Sequence, residues 1–167
     1  MRKKTRHLVQ CAMIAALYVV LTHLQNILFP NSASMAIQFR AAEALCVLAF
    51  FTPAAIWGLT LGCLLFNITF AQALPLDFIA GSLATFLATA FMWKSRQLTC
   101  KGYPLFGMLM PALFNALIVG WELSVYIGGG FGFNAGMVAL GELGVLLTLG
   151  SALYYAIKLR HLEQKLF

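Results

Sequence analysis

The segment 38–70 reads QFRAAEALCVLAFFTPAAIWGLTLGCLLFNITF, and the way it folds decides the arrangement of the whole chain. Its only charged residues, Arg40 and Glu43, lie near its start, and Pro53 interrupts the apolar run in the middle. A proline can mark either a turn between two helices or a kink within one. Whether 38–70 forms one long helix or two short ones therefore sets the direction of every later segment.

The composition is that of a membrane protein. Of the 167 residues, 62% are hydrophobic and 10% are charged, and the mean hydropathy is +0.88. A soluble domain of this size could not bury so much apolar surface. The net charge of +6 is not a nucleic-acid-binding pattern, because the basic residues sit at the ends of apolar segments and not along one face. We therefore predict an all-α integral membrane protein that contacts lipid and no nucleic acid.

The basic residues predict the topology. Ten of the eleven Lys and Arg residues fall into three clusters, within 2–6, 94–101 and 158–165. With a turn at Pro53, four crossings separate the first two clusters and two more precede the third, so that all three clusters are cytoplasmic. One kinked helix over 38–70 would put the first two clusters on opposite sides of the membrane. A re-entrant pair there would keep the number of crossings between the clusters even, and so would leave them on the same side. We predict six transmembrane helices, with both termini cytoplasmic, over the segments 8–29, 38–52, 53–70, 75–93, 104–127 and 135–157.

Charged side chains inside the apolar segments are candidates for function, because they are costly in hydrocarbon. Under the predicted topology they all fall in the outer half of the membrane: Arg40, Glu43, Asp77, Glu122 and Glu142. Four acids against one arginine favour a ligand that is cationic or rich in hydrogen-bond donors. Two local roles stay open, a salt bridge between Arg40 and Glu43 and a helix-capping role for Asp77.

Other residues near the predicted outer side extend this set. Asn115 precedes Glu122 by seven residues and so shares its helical face. The aromatic residues Trp121, Tyr126, Phe131 and Phe133 would form either a stacking platform for a flat ligand or an interfacial belt. The glycine-rich run 128–134 predicts an outer loop that could act as a gate.

Small residues recur at helical spacing in two segments. Ala12 and Ala16 form one small-xxx-small pair, and Gly58 and Gly62 form another. Such pairs allow close approach of helices in lipid, and internal packing is their commonest use.

Sequence motifs for catalysis are absent. The chain has no G-x-x-x-x-G-K-[ST] phosphate loop, no H-E-x-x-H motif and no serine elbow. Its four cysteines and three histidines lack metal-ligand spacing. We predict no metal and no cofactor, and a solute-binding membrane subunit without its own ATPase site rather than an enzyme. A self-contained, proton-coupled transporter of organic cations, with Glu122 or Glu142 as the proton site, is the alternative.

The residues also resemble a family. The stretch 37–45, IQFRAAEAL, resembles the Q-x-R-x-x-E-x-L signature of the QueT family, which are substrate-binding S-components of energy-coupling factor (ECF) transporters. Similar motifs follow in order along nearly the whole chain: Gly58 to Asn67, Asp77 to Thr85, Pro111 to Glu122, and Gly141-Glu142.

The resemblance implies one transmembrane substrate-binding domain over 1–167, folded as an S-component-like bundle in the prokaryotic plasma membrane. It implies capture from outside of a 7-deazaguanine queuosine precursor, such as preQ1 or queuine. It implies a coupling transmembrane subunit docked on Ala12 and Ala16, with two cytoplasmic ATPases. The expected substrate-binding residues are Gln38, Arg40, Glu43, Asn67, Asp77, Asn115, Trp121, Glu122, Asn134 and Glu142. Another vitamin or nucleobase is the alternative ligand.

Overall fold

The computed structural model describes residues 3–30, 39–70 and 74–162. All regular structure in these ranges is helical, apart from an isolated bridge between Cys100 and Tyr103. The elements are α1 (Lys3–Leu28), a 3₁₀ helix (Ala41–Phe50), α2 (Ala54–Thr69), α3 (Asp77–Lys94), α4 (Leu105–Met108), α5 (Met110–Tyr126), α6 (Phe131–Val145), a π turn (Leu146–Gly150) and α7 (Ser151–Leu159).

These elements form six helical segments, as predicted. The short α4 leads directly into α5, and α6 continues through the π turn into α7. Three segments are long and apolar enough to cross a membrane, namely Lys3–Leu28, Leu105–Tyr126 and Phe131–Leu159. The prediction of six helices is confirmed, while the sidedness of the two termini stays a prediction.

The segment 38–70 contains two separate helices and not one kinked helix. The 3₁₀ helix ends at Phe50, and α2 begins at Ala54 after Pro53. The Thr52 hydroxyl accepts a hydrogen bond from the Ala54 N–H at 3.3 Å. The 3₁₀ conformation rises about 2.0 Å per residue against about 1.5 Å in an α-helix, so ten residues extend about 20 Å. This conformation lengthens a segment that would otherwise be short.

The 3₁₀ helix lies at the centre of the bundle. Helices α1, α2, α3, α5 and α6 pack in chain order around it, and it contacts α1, α2, α3, α6 and α7. From Ala42 to Phe50 every residue except Leu48 is buried. A helix that is buried on all sides must be apolar all round, so Glu43 in its first turn requires a specific partner.

The glycine pair of α2 packs against α1. A Cβ added at Gly58 would lie 2.8 Å from the Cys11 carbonyl oxygen, and one added at Gly62 would lie 2.8 Å from the Tyr18 Cβ. The packing role predicted for this pair is confirmed. Ala12 and Ala16, by contrast, are exposed on the other face of α1.

The glycine-rich run is only partly a loop. Gly128, Gly129 and Gly130 have φ values of 83°, 83° and 81°, a conformation that favours glycine. Helix α6 begins immediately afterwards at Phe131, and the Asn134 side-chain amide donates to the Gly128 carbonyl at 2.7 Å. The prediction of a loop over 128–134 is therefore wrong for 131–134, because three glycines complete the turn and Asn134 ties it to the helix.

The described residues of the three basic clusters lie toward one end of the bundle. The Lys158 ammonium donates to the Gly102 carbonyl at 3.2 Å, which joins the second and third clusters. The Cys11 thiol donates to the Ala54 carbonyl at 3.3 Å, so the N-terminal turns of α1 lie beside the Pro53 turn. The Phe51 ring at that turn lies 5.6 Å from the Tyr154 ring of α7. This shared end is the arrangement that the positive-inside parity requires.

Candidate functional site

Polar side chains from five helical segments converge inside the bundle. Eight of the predicted site residues are at most 6% exposed: Arg40, Glu43, Asn67, Asp77, Asn115, Glu122, Asn134 and Glu142. Glu122 is fully buried. Gln38, which was also predicted, lies outside the described residues. Buried charged groups are normally paired or functional, so the contacts of each one decide its role.

One group of contacts forms around Glu142, and we call it the Glu142 layer (Tyr18, Glu43, Cys46, Asn115 and Glu142). The Tyr18 hydroxyl donates to Glu43 Oε1 at 2.5 Å, and the Cys46 thiol donates to Glu43 Oε2 at 3.2 Å. The Asn115 amide donates to Glu142 Oε1 at 3.0 Å. Glu43 and Glu142 also interact electrostatically, which places two acids beside each other in the interior.

A second group, the Glu122 layer, contains Asn67, Asp77 and Glu122. The Asn67 amide donates to the Asp77 backbone carbonyl at 2.8 Å, and the Leu74 N–H donates to Asp77 Oδ2 at 3.0 Å. Asp77 thus bonds the turn that precedes α3, in the first turn of the helix where an acid is favourable. The carboxyl groups of Asp77 and Glu122 lie within hydrogen-bonding reach of each other, and no N–H or O–H donor of the described residues reaches either Glu122 oxygen.

Arg40 connects the two layers. It interacts electrostatically with Glu43 of one layer and Asp77 of the other. Its guanidinium carbon lies 5.9 Å from the centroid of the Phe66 ring, a cation–π contact. The arginine therefore neutralises part of the acidic charge of both layers.

Gln25 of α1 fixes the backbone on both sides of Arg40. Its side-chain amide donates to the Phe39 carbonyl, and its oxygen accepts from the Ala41 N–H at 2.6 Å. Because both bonds flank Arg40, they set where the 3₁₀ helix begins and hence where Arg40 and Glu43 point.

Several buried oxygens have no hydrogen-bond partner among the described residues. They are Asn67 Oδ1, Asp77 Oδ1, Ser82 Oγ, both oxygens of Glu122, and Glu142 Oε2. An unpartnered buried polar atom is costly, and native proteins contain few of them. Apart from the Ser82 hydroxyl, these atoms are one amide oxygen and several carboxylate oxygens. Oxygens of both kinds accept hydrogen bonds and do not donate them. The interior therefore offers a set of acceptors to a ligand that carries several donors.

The comparison with known families agrees with this membrane-embedded polar interior. A family model described as QueT transporter matches residues 8–159. The chain belongs to the QueT transporter family. A curated relative, the Queuosine precursor transporter QueT of Lactococcus lactis subsp. cremoris (strain MG1363), is 37% identical to it over 87 residues. That stretch covers 50% of this chain and 47% of the relative, so the chain matches about half of the relative's length. No solved structure matches the chain.

The chain is thus a member of a transporter family, and its apolar helices make it a multi-pass membrane protein. The residues 8–159 that match the QueT family include every buried acid described above. The matching region also includes at least part of each of the six helical segments.

Two predicted site residues of this QueT family member lie apart from the two layers. Trp121 is 52% exposed, whereas the next residue of α5, Glu122, is buried. Phe131, Phe133 and Tyr126 are also exposed, which is the arrangement of an interfacial aromatic belt and not of a stacking platform inside the bundle. Asn134 is buried, but its amide bonds to the glycine turn at Gly128.

Three residues of the site were not predicted from the sequence, namely Tyr18, Gln25 and Cys46. Tyr18 and Gln25 are seven residues apart on α1 and therefore share a face, which is a recognisable signal in an apolar helix. Cys46 follows Glu43 by one 3₁₀ turn. Within the described residues, no group of three or more His, Cys, Asp or Glu side chains could hold a metal ion.

Proposed function

We propose that this chain is the membrane-embedded substrate-capture subunit of an ATP-driven ECF importer. Its substrate would be a 7-deazaguanine queuosine precursor, preQ1 or queuine, bound in an outward-facing polar pocket. The observation that carries the proposal is the set of unpartnered buried acceptor oxygens on Asn67, Asp77, Glu122 and Glu142.

The chemistry of a 7-deazaguanine fits such a set of acceptors. Its ring carries adjacent N1–H and N2–H donors and a pyrrole N–H, and preQ1 adds an ammonium group on a one-carbon arm. Charge-assisted hydrogen bonds contribute about 1.5–3 kcal/mol each, so two or three of them would support tight binding. The relative in Lactococcus lactis carries the name of a queuosine precursor transporter, which favours this ligand class over other donor-rich molecules.

The proposed partners are an ECF coupling transmembrane subunit and two cytoplasmic ATPases. Ala12 and Ala16 support this part of the proposal, because both are exposed on α1 beside large apolar side chains such as Leu8, Met13 and Leu17. A strip of small residues on an exposed helical face allows another transmembrane helix to approach closely. The face of α1 that packs against α2 is a different one.

One observation favours a second candidate, a self-contained proton-coupled transporter. Glu122 is fully buried beside Asp77, and neither of its carboxyl oxygens accepts a hydrogen bond from a donor in the part of the chain that the structure describes. A buried acid with no fixed partner could bind and release a proton during transport.

Uptake into proteoliposomes discriminates between the two candidates. Labelled preQ1 is supplied to vesicles that contain this chain alone, or this chain with an ECF coupling subunit and its ATPases. We expect uptake only in the complete assembly, and only with ATP on the side of the ATPases. Uptake by the lone chain that follows an imposed pH gradient without ATP would contradict the importer proposal and favour the proton-coupled transporter.

A further inference from the structure

Hydrogen-bond occupancy distinguishes the three buried glutamates. Both oxygens of Glu43 are occupied, by the Tyr18 hydroxyl and the Cys46 thiol. One oxygen of Glu142 is held by Asn115, and no donor of the described residues reaches the other. In the same part of the chain no donor reaches either oxygen of Glu122. Glu43, Glu142 and Glu122 therefore leave no oxygen, one oxygen and two oxygens, respectively, without a described donor.

The Glu122 and Glu142 layers are separated along the bundle. Asn115, which holds Glu142, precedes Glu122 by seven residues on α5. Seven residues are two helical turns on one face, or about 10 Å along the axis. A single ligand reaches both layers only if it is elongated and carries donors at both ends, as a bicyclic base with an amine arm does.

We propose that Glu122 binds the N1–H and N2–H edge of the 7-deazaguanine ring with both oxygens, while Glu142 binds the ammonium of the aminomethyl arm with Oε2. This inference rests on the proposed function, because it takes a 7-deazaguanine as the substrate. Two parallel N–H donors require two oxygens of one carboxylate, and of the three buried glutamates only Glu122 receives no hydrogen bond at either oxygen from a donor of the described residues.

The surroundings of Glu142 suit a cation. Glu43 lies close enough to interact with it electrostatically and adds a second acid to that layer. An ammonium is a compact charge whose three N–H donors can rotate. It can therefore bind a single carboxylate oxygen and does not require the two parallel acceptors that a planar pair of N–H groups requires. Glu43 itself, with both oxygens occupied, makes no direct contact with the ligand in this arrangement.

The assignment predicts which variant discriminates between preQ1 and its uncharged nitrile analogue, preQ0. Calorimetric affinities for both ligands are measured on the full chain and on Glu122→Gln, Glu142→Gln and Glu43→Gln. We expect E142Q to lower preQ1 affinity by about ten- to one-hundred-fold, and preQ0 affinity by less than about three-fold. We expect E122Q to lower both affinities about ten-fold or more and to a similar extent. E43Q should change the ratio of the two affinities less than E142Q does.

Glu163→Gln is the matched control, because it makes the same chemical change at the acid of the C-terminal tail. Equal loss of preQ1 and preQ0 affinity in E142Q, or selective loss of preQ1 in E122Q, would overturn the assignment. Should a variant fail to fold in a thermal unfolding assay, the wild-type chain titrated with N1-methylated preQ1 gives the same information. Undiminished binding of that analogue would overturn the role of Glu122. Failure of the wild-type chain to bind any 7-deazaguanine would instead overturn the proposed function itself.

Discussion

Replacing Tyr18 by Phe removes the hydroxyl that donates to Glu43 Oε1 at 2.5 Å and keeps the aromatic ring in the core. Tyr18 is fully buried and Glu43 is 2% exposed, so water cannot replace the lost donor at low cost. Leaving one buried acceptor without its donor costs about 1–3 kcal/mol, and the upper part of that range applies to a charged group. For a chain of this size each kcal/mol lowers Tm by about 2–4 °C, so we expect a decrease of about 2–12 °C.

The measurement is thermal unfolding of the detergent-solubilised chain in a double-mutant cycle. Y18F is compared with the wild type, and Y18F/E43M is compared with E43M, in which no carboxylate is left for Tyr18 to satisfy. If the Tyr18 hydroxyl acts through Glu43, removing it lowers Tm much less in the E43M background than in the wild type. The same decrease of Tm in both backgrounds would show that the Tyr18 hydroxyl does not stabilise the fold through its hydrogen bond to Glu43. Cys46→Ala should have a smaller effect than Y18F, because a thiol is a weak donor.

Three further predictions concern packing, partners and topology. Gly62→Ala should destabilise the bundle by about 1–3 kcal/mol in thermal unfolding, since the new Cβ would lie 2.8 Å from a Cβ of α1. Gly144→Ala, which meets nothing within 4 Å, should be neutral or stabilising by up to about 1 kcal/mol. Ala12→Trp with Ala16→Trp should abolish ATP-driven uptake in the reconstituted assembly and leave preQ1 affinity measured by calorimetry unchanged. A membrane-impermeant maleimide should label Cys100, which is exposed beside the second basic cluster, in inside-out vesicles and not in intact cells.

Each of these has a result that contradicts it. Equal stability of the two glycine variants would contradict the close approach of α1 and α2. Normal uptake by the tryptophan variant would remove this face of α1 from the docking surface. Labelling of Cys100 in intact cells would place the basic end outside, against the predicted topology.

The hydrophobic pattern was sufficient to predict the six helices and most of the buried polar residues. A charge is expensive in an apolar segment, so Arg40, Glu43, Glu122 and Glu142 had to face the interior of the bundle. The three basic clusters can lie on one side of the membrane only if the number of crossings between them is even, and this condition predicted the turn at Pro53.

The partners of those charges could not be predicted, because they depend on tertiary packing. Glu43 is held by a tyrosine 25 residues earlier in the chain, and although the spacing of Tyr18 and Gln25 marks a polar face of α1, it does not indicate which residue that face contacts. The 3₁₀ conformation of Ala41–Phe50 likewise follows from the central position of that helix, which the local sequence does not specify. The exposure of Trp121 follows from the rotation of α5 that buries the adjacent Glu122, because neighbouring residues of a helix point in different directions.

The central claim is that the buried acceptor oxygens of this QueT family member bind a donor-rich 7-deazaguanine. Calorimetric titration of the purified, detergent-solubilised chain with preQ1, preQ0, queuine and guanine tests it most directly. We expect saturable binding of at least one 7-deazaguanine by the lone subunit, without ATP or partner proteins. A folded chain that binds none of the four would contradict it.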